Sequence, residues 1–327
     1  QLDGLSSVEQ GSLTVAHLRR LTSGQITQLA DTQLYALGST HLAGLFMTQL
    51  DGVTSQQMAG LTKTQLAGLS SAQWDSLTTT QIAGQGDAAV AAWSTARISG
   101  LSSTQIAAMS TTQLAGFQGT HIAVLTPVQL AGLSTAQLDS WSTTQVAALS
   151  SGQVAALGTA QWRGLSSTQI ASLSTTQLDG LSSIQLEGLT TTQVRGFGST
   201  QVDSLNTTQL RGFSSAQVAA LSAAQMAGLG STQIASLSMT QMAGFGSSQV
   251  ATLTTTQIAA LSSARLAGLT TTQLDGLRSM LIAALTTTQL AGLSSTQVDS
   301  LETTQVSGLG SALLGALTGQ QIAGLSS

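Results

Sequence analysis

From Leu5 to Gly324 the chain divides into 40 consecutive octads without one insertion or deletion. A repeat this regular settles the architecture before any motif can, because each unit must bury its apolar residues against a neighbour of its own kind. Leu253 to Ala260, LTTTQIAA, is typical, and the next two octads read LSSARLAG and LTTTQLDG. Counting the leucine as slot 1, slot 6 is apolar in every octad but the first, where Gln10 stands, and slot 1 is apolar everywhere except Gln85. Slot 5 is Gln in 31 of the 40 octads, and most of its replacements are polar: Glu9, His17, His41, Arg97, His121, Arg265. Slot 2 is Ser, Thr, Gly or Asn except at Ala30, Phe46, Gln118, Arg278 and Glu302.

One motif explains all four slots. Ser, Thr, Asn and Gly favour a helix N-cap. With slot 2 as N-cap, slot 5 is N3, and S/T-x-x-Q is a capping box in which the hydroxyl and the Gln side chain each satisfy the other's amide. Slots 1 and 6 then fall at N′ and N4, the two halves of a hydrophobic staple. The single proline, Pro127, falls at N1, where proline is tolerated best. The frequent slot-8 glycine stands where a C′ residue would turn left-handed to stop the helix. The octad therefore predicts one short helix, capped, stopped and restarted, and an all-α solenoid. The competing fold is a β-solenoid. Slots 1 and 6 have opposite parity, so a strand could not turn both to one core. Thr at slots 3 and 4 is a mediocre helix former and leans toward the strand.

A second rhythm runs through slot 8. From Gly84 to Gly324 every other octad ends in Gly, with Ala148 and Ala260 as the exceptions, and the interleaved octads hold only Gly188 and Gly268. This alternation predicts a coil of two octads, with two short helices facing each other across a narrow core. Twenty such coils at the ~8–10 Å spacing of packed helices would make a rod of about 160–200 Å. The pattern runs as a single continuous solenoid over residues 1–327, with degenerate repeats over 1–36 (SVEQGS, AHLRR, Tyr35). It starts at Gln1 in slot 5 and stops at Ser327 in slot 3, so it reads as a window cut from a longer array.

Composition narrows the function. Charged residues are 7% of the chain and the net charge is −4. That leaves no basic face for phosphates, so nucleic acid is not an expected partner. No apolar run approaches the ~20 residues of a membrane span. There is no cysteine, hence no disulfide or thiol chemistry. Lys63 is the only lysine. The four Trp and five Phe fall almost entirely in slots 1 and 6, as core residues, with Phe46 apart.

No constellation for catalysis, metal or cofactor appears. His17, His41 and His121 all stand in slot 5, as substitutes for Gln, and a two-octad coil would put His17 and His41 on opposite sides. The acidic slot-7 residues lack the spacing of a calcium loop. Asp179, Glu187, Arg195, Asp203 and Arg211 follow one another at slot 7 and read as mixed surface charge. No Ser-His-Asp or G-x-S-x-G setting accompanies the many serines, so enzymatic activity is not expected. Asn206 opens a formal glycosylation sequon but sits at the cap slot. The residues with a readable task are the slot-5 glutamines, among them Gln137, Gln145, Gln153, Gln161, Gln169, Gln177, Gln257 and Gln273. Each caps its own helix and, stacked along one side, has a spare donor and acceptor for a ladder between coils. The apolar Leu281 and Leu313 mark individual members as dispensable.

The run of L-[ST]-[ST]-[TA]-Q-[LIV]-A-[GAS] units resembles octad arrays in very large bacterial secreted or surface proteins, adhesin-like in character. That resemblance implies an extracellular or cell-surface, structural role, with partner-binding domains elsewhere and no catalytic residue. The expectation is a stiff stalk or fibre segment, able to self-associate into fibres or bundles. The alternative is a solenoid that binds ice or another regular surface through the triplets Thr78–Thr80, Thr190–Thr192, Thr254–Thr256 and Thr286–Thr288, which only strands would lay out as one flat array. A third function, peptide recognition, calls for a variable surface patch that these uniform slots lack.

Overall fold

A computed structural model describes residues 13–325. The readings that rest on Gln1, Glu9, Gln10 and Ser327 lie outside the described residues. Among those described there are 39 helices of four to six residues, from Val15–Leu18 to Gly319–Gly324, and no strand. The chain is thus an all-α solenoid of very short helices, one per octad, and not a β-solenoid. It divides into two compact units between Gly164 and Leu165. The same coil builds each of them.

Each octad folds by the same local logic. At Thr135–Asp139 the N-cap Ser134 is extended (φ −75°, ψ 162°), its hydroxyl accepts from Gln137 N–H, and Gln137 Oε1 accepts from Ser134 N–H in return. Pro127 opens its helix at the first position, as the cap register requires. Slots 1 and 6 turn inward, so that Leu133 and Leu138 are 3% and 0% exposed. A lone octad could not hold this shape. Two buried leucines at about 1.5–3 kcal/mol each do not offset the ordering of eight backbones at about 1–2 kcal/mol each. Stacking must supply the rest.

The stacking corrects the expected coil. Within each unit the helix–helix packing joins a helix to the third one along, as in Ser39–Ala43 on Lys63–Ala67 and Ser199–Ser204 on Ala223–Gly228. The coil is therefore three octads and not two. The slot-8 alternation is not the period of the coil. His17 and His41 consequently lie on the same side in successive coils, since Val15–Leu18 packs on Ser39–Ala43.

The helix stop also differs from expectation. No described glycine has a positive φ. Slot 8 stays right-handed, as at Gly132 (φ −74°, ψ −17°), or the turn is released at slot 1, as at Leu157 (φ −66°, ψ 133°). An extended slot 1 ends the helix without a left-handed residue. Glycine is needed at slot 8 for closeness instead. A Cβ on Gly68 would stand 2.6 Å from the Ser39 carbonyl oxygen, and one on Gly196 would stand 2.5 Å from that of Ser167.

Candidate functional site

The polar side chain that recurs from coil to coil is the slot-5 glutamine, and its surroundings are the nearest thing in the molecule to a built site. A one-turn helix leaves its first N–H groups and its last C=O groups without helical partners. Gln145 deals with both ends at once. Its Oε1 accepts from the Ser142 N–H at 2.8 Å, while its Nε2 donates to the carbonyls of Leu114 and Phe117 at 2.9 and 2.7 Å. Those carbonyls occupy slots 6 and 1 in the coil beneath. The amide thus ties the start of one helix to the end of another, one coil away, and it is 4% exposed.

The same geometry recurs at the other expected residues. Gln137 donates to Ala107 and Met109, Gln153 to Ile122 and Leu125, and Gln161 to Leu130 and Leu133. Gln257 donates to Met226 and Leu229, and Gln273 to Met242 and Phe245. Gln169 and Gln177 accept from Ser166 N–H and Ser174 N–H, both at 2.7 Å. The spare donors of Gln137, Gln145, Gln153, Gln161, Gln257 and Gln273 go to backbone carbonyls rather than to other glutamine amides.

The glutamine half of the box also outlives the hydroxyl half. Where slot 2 is Ala30, Phe46 or Gly158, its N–H still donates to Oε1 of Gln33, Gln49 or Gln161 at 2.9 to 3.0 Å. This is why slot 2 tolerates residues without a hydroxyl while slot 5 stays narrow.

The exceptions at slot 5 test the reading. Neutral imidazole has one acceptor and one donor. His121 uses Nδ1 to accept from Gln118 N–H at 3.2 Å and makes a hydrogen bond to the Trp93 backbone, at slot 1 of the coil beneath. Burial pulls its pKa below the ordinary histidine value, partly opposed by the Trp93 bond. Arg97 and Arg265 keep only the donor half, reaching Leu66 O and Leu237 O, both at 3.0 Å. Burial lowers the pKa of the Arg97 guanidinium, which lies 3.9 Å over the Trp74 ring.

Two residues escaped the sequence reading. In the octad where slot 5 is Ala89, Gln85 Nε2 lies 3.4 Å from Met58 O, the slot-6 carbonyl that a glutamine at slot 5 would reach. In the octad where slot 5 is Leu281, Arg278 donates to Ala251 O, at slot 7 of the coil beneath, the place that Ala107 holds under Gln137. A polar residue out of place beside an apolar slot 5 was the available signal.

No further chemistry converges. Among the described residues no three His, Cys, Asp or Glu side chains form a metal-binding group, and no helix is long and apolar enough to cross a membrane. Cavities of about 120 and 340 Å³ flank Arg97, but a groove of about 430 Å³ beside Phe245 shows such spaces to be ordinary between coils. Asp179, Glu187, Arg195, Asp203 and Arg211 are exposed. Asn206 is an N-cap whose Oδ1 accepts from Gln209 N–H. In the Thr triplets, Thr78 Oγ1 accepts from Gln81 N–H and lies 2.9 Å from Thr80 Oγ1, and Thr254 and Thr256 pair in the same way.

Four segments of the chain match one family model, at residues 122–159, 154–191, 207–239 and 282–311. It is the ALTTAQ repeat. The six letters of that name fall on slots 8, 1, 2, 3, 4 and 5, and Ala284 to Gln289 reads ALTTTQ. The ALTTAQ-like segments are a repeat region, and their glutamine is the residue that holds one coil to the next. No curated protein matches the chain.

Proposed function

We propose that the chain is a non-enzymatic structural repeat, a stiff spacer in a stalk or fibre outside a bacterial cell. The observation that carries this reading is the use of the slot-5 glutamines. The side chain that recurs with both a donor and an acceptor spends both on backbone groups of its own solenoid, as at Gln145. The outer slots are Ser, Thr and small residues with charge at only 7% of the chain, a coat suited to hydration rather than to recognition. Likeness to a repeat family agrees with a role in which copy number sets length. The extracellular setting draws its support from composition and from the resemblance to bacterial surface arrays.

Mechanical stretching of single molecules tests the spacer role. A spacer built from glutamine-locked coils yields in a ladder of small events, each releasing a whole three-octad coil, about 80 Å of extended chain. Collapse of the array at forces no higher than those that stretch unfolded chain would remove the stalk reading.

A further inference from the structure

We propose that the array carries a parity rule, which lets it lengthen or shorten by two octads but not by one whole coil. The rule comes from the pairs that stacking brings together. Within each unit, slot 8 commonly lies over slot 3 of the octad one coil earlier, as Gly84 lies over Ser55, Gly132 over Ser103 and Gly228 over Ser199. Along the sequence, the 16 slot-8 positions of the glycine series from Gly84 to Gly324 have Ser at that partner position in 13 cases. The 15 interleaved positions, where slot 8 is mostly Ala or Ser, have Thr there in 11 cases. Two kinds of octad alternate, one with Thr at slot 3 and Gly at slot 8, the other with Ser at slot 3 and a larger residue at slot 8.

An odd number of octads per coil turns this alternation into a lock. From Gly84 on, three steps along the chain change the kind in most octads, so most octads stack on their opposite. Over Ser the approach is close at Gly84, Gly132, Gly196 and Gly228, where a Cβ would fall 2.5 to 2.8 Å from the slot-3 carbonyl oxygen, while at Gly100, paired with Ser71, it would meet only Asp75 Oδ1 at 3.5 Å. Over the other kind slot 8 is mostly Ala or Ser, although at Gly164, over Thr135, an added Cβ would lie 2.7 Å from Thr135 Cβ. Two of the exceptions are compensated at the partner position, while Ala260 keeps Ser231 as its partner. Ala148 breaks the glycine series and stands over Gly119, where even an added Cβ would lie 3.2 Å from Ala148 Cβ. Gly268 breaks the interleaved series and stands over Met239, whose Cε occupies the space of the missing Cβ.

The rule makes an unusual demand on length. Removal of residues 189–204, two octads, brings Gly212 over Ser167, Ala220 over Thr175 and Gly228 over Ser183, all permitted pairs. Removal of residues 189–212, one complete coil, brings Ala220 over Ser167 and Ser236 over Ser183, pairs that the alternation avoids: from Gly84 to Gly324 Ala over Ser occurs once, at Ala260 over Ser231, and Ser over Ser not at all. Circular dichroism melting of these two deletions in the full chain tests the rule. The two-octad deletion is expected to melt close to the parent, and the whole-coil deletion at least about 5 °C lower. Ala220→Gly with Ser236→Gly in the longer deletion is expected to recover most of the loss. A whole-coil deletion as stable as the two-octad one, or glycines that recover nothing, would overturn the rule.

Discussion

Replacing Gln225 by Met tests what the glutamine contributes, because Met keeps the length and packing of the side chain and removes its amide. Gln225 is 2% exposed. Its Oε1 accepts from Ser222 N–H at 2.7 Å, and its Nε2 donates to Val194 O at 2.8 Å and Phe197 O at 2.7 Å. Val194 O retains a second partner, the Phe197 N–H at 3.3 Å. Ser222 N–H and Phe197 C=O have no other partner among the described residues, so the substitution orphans two backbone groups. At about 1–3 kcal/mol for each unsatisfied group, the cost is about 2–6 kcal/mol. The cap hydroxyl is worth less. Ser222 Oγ accepts from Gln225 N–H at 3.3 Å, a long bond, so Ser222→Ala is expected to cost about 0.5–1 kcal/mol. Chemical denaturation gives the ranking, and amide hydrogen exchange gives the location, with protection lost at Ser222 in Gln225→Met. If Gln225→Met costs no more than Ser222→Ala, or if the Ser222 amide exchanges as before, the glutamine is not what joins the coils.

Three further outcomes follow from the same geometry. Gly196→Ala places a Cβ 2.5 Å from Ser167 O and 3.0 Å from Ser167 Cβ, and overpacking of that order is expected to cost about 1–3 kcal/mol by urea denaturation. His121 has a folded pKa below its ordinary 6.5, chiefly through burial. The unfolded chain therefore takes up the proton first, so the stability His121 gives is complete above about pH 6.5 and is lost as pH falls through the lower folded value. His121→Gln is expected to flatten that acid-side slope in a melting-temperature series. Ala89→Gln combined with Gln85→Leu restores the standard octad where Gln85 now reaches Met58 O. The pair is expected to stabilise by about 1–2 kcal/mol, more than the two single changes added together, as a double-mutant cycle would show.

The helix, its cap and its buried slots were legible in the sequence because they are local. Ser134 and Gln137, three positions apart, state their own hydrogen bonds. The coil is not legible from the period of the slot-8 glycines. Glycine in every second octad suggested two octads per turn, yet it comes from pairing between unlike octads in a coil with an odd number of them. The informative spacing runs from Ser199 to Gly228 or from Ser103 to Gly132. It joins two different slots and so escapes a search for one slot's period. The left-handed glycine was misread for a related reason. Gly132 stops no helix by its own dihedrals (φ −74°); it admits the Ser103 carbonyl of the coil beneath. Likewise the cap partner of Gln145 could be read along the chain, but not Leu114 or Phe117, whose carbonyls become neighbours only once the coil closes.

The coil itself is open to a direct chemical measurement, since the chain has no native cysteine. Thr208, Ala224 and Thr232 are exposed slot-4 residues, and Thr208 lies three octads from Thr232 but two from Ala224. Cysteines can be placed in pairs, Thr208→Cys with Thr232→Cys and Thr208→Cys with Ala224→Cys, and treated with a thiol cross-linker spanning about 8–10 Å, the spacing of packed helices. Three octads per coil stack the first pair on one side and separate the second. Rapid cross-linking of the three-octad pair alone is the expected result. Cross-linking of the two-octad pair in its place would contradict the three-octad coil and the glutamine lock built on it.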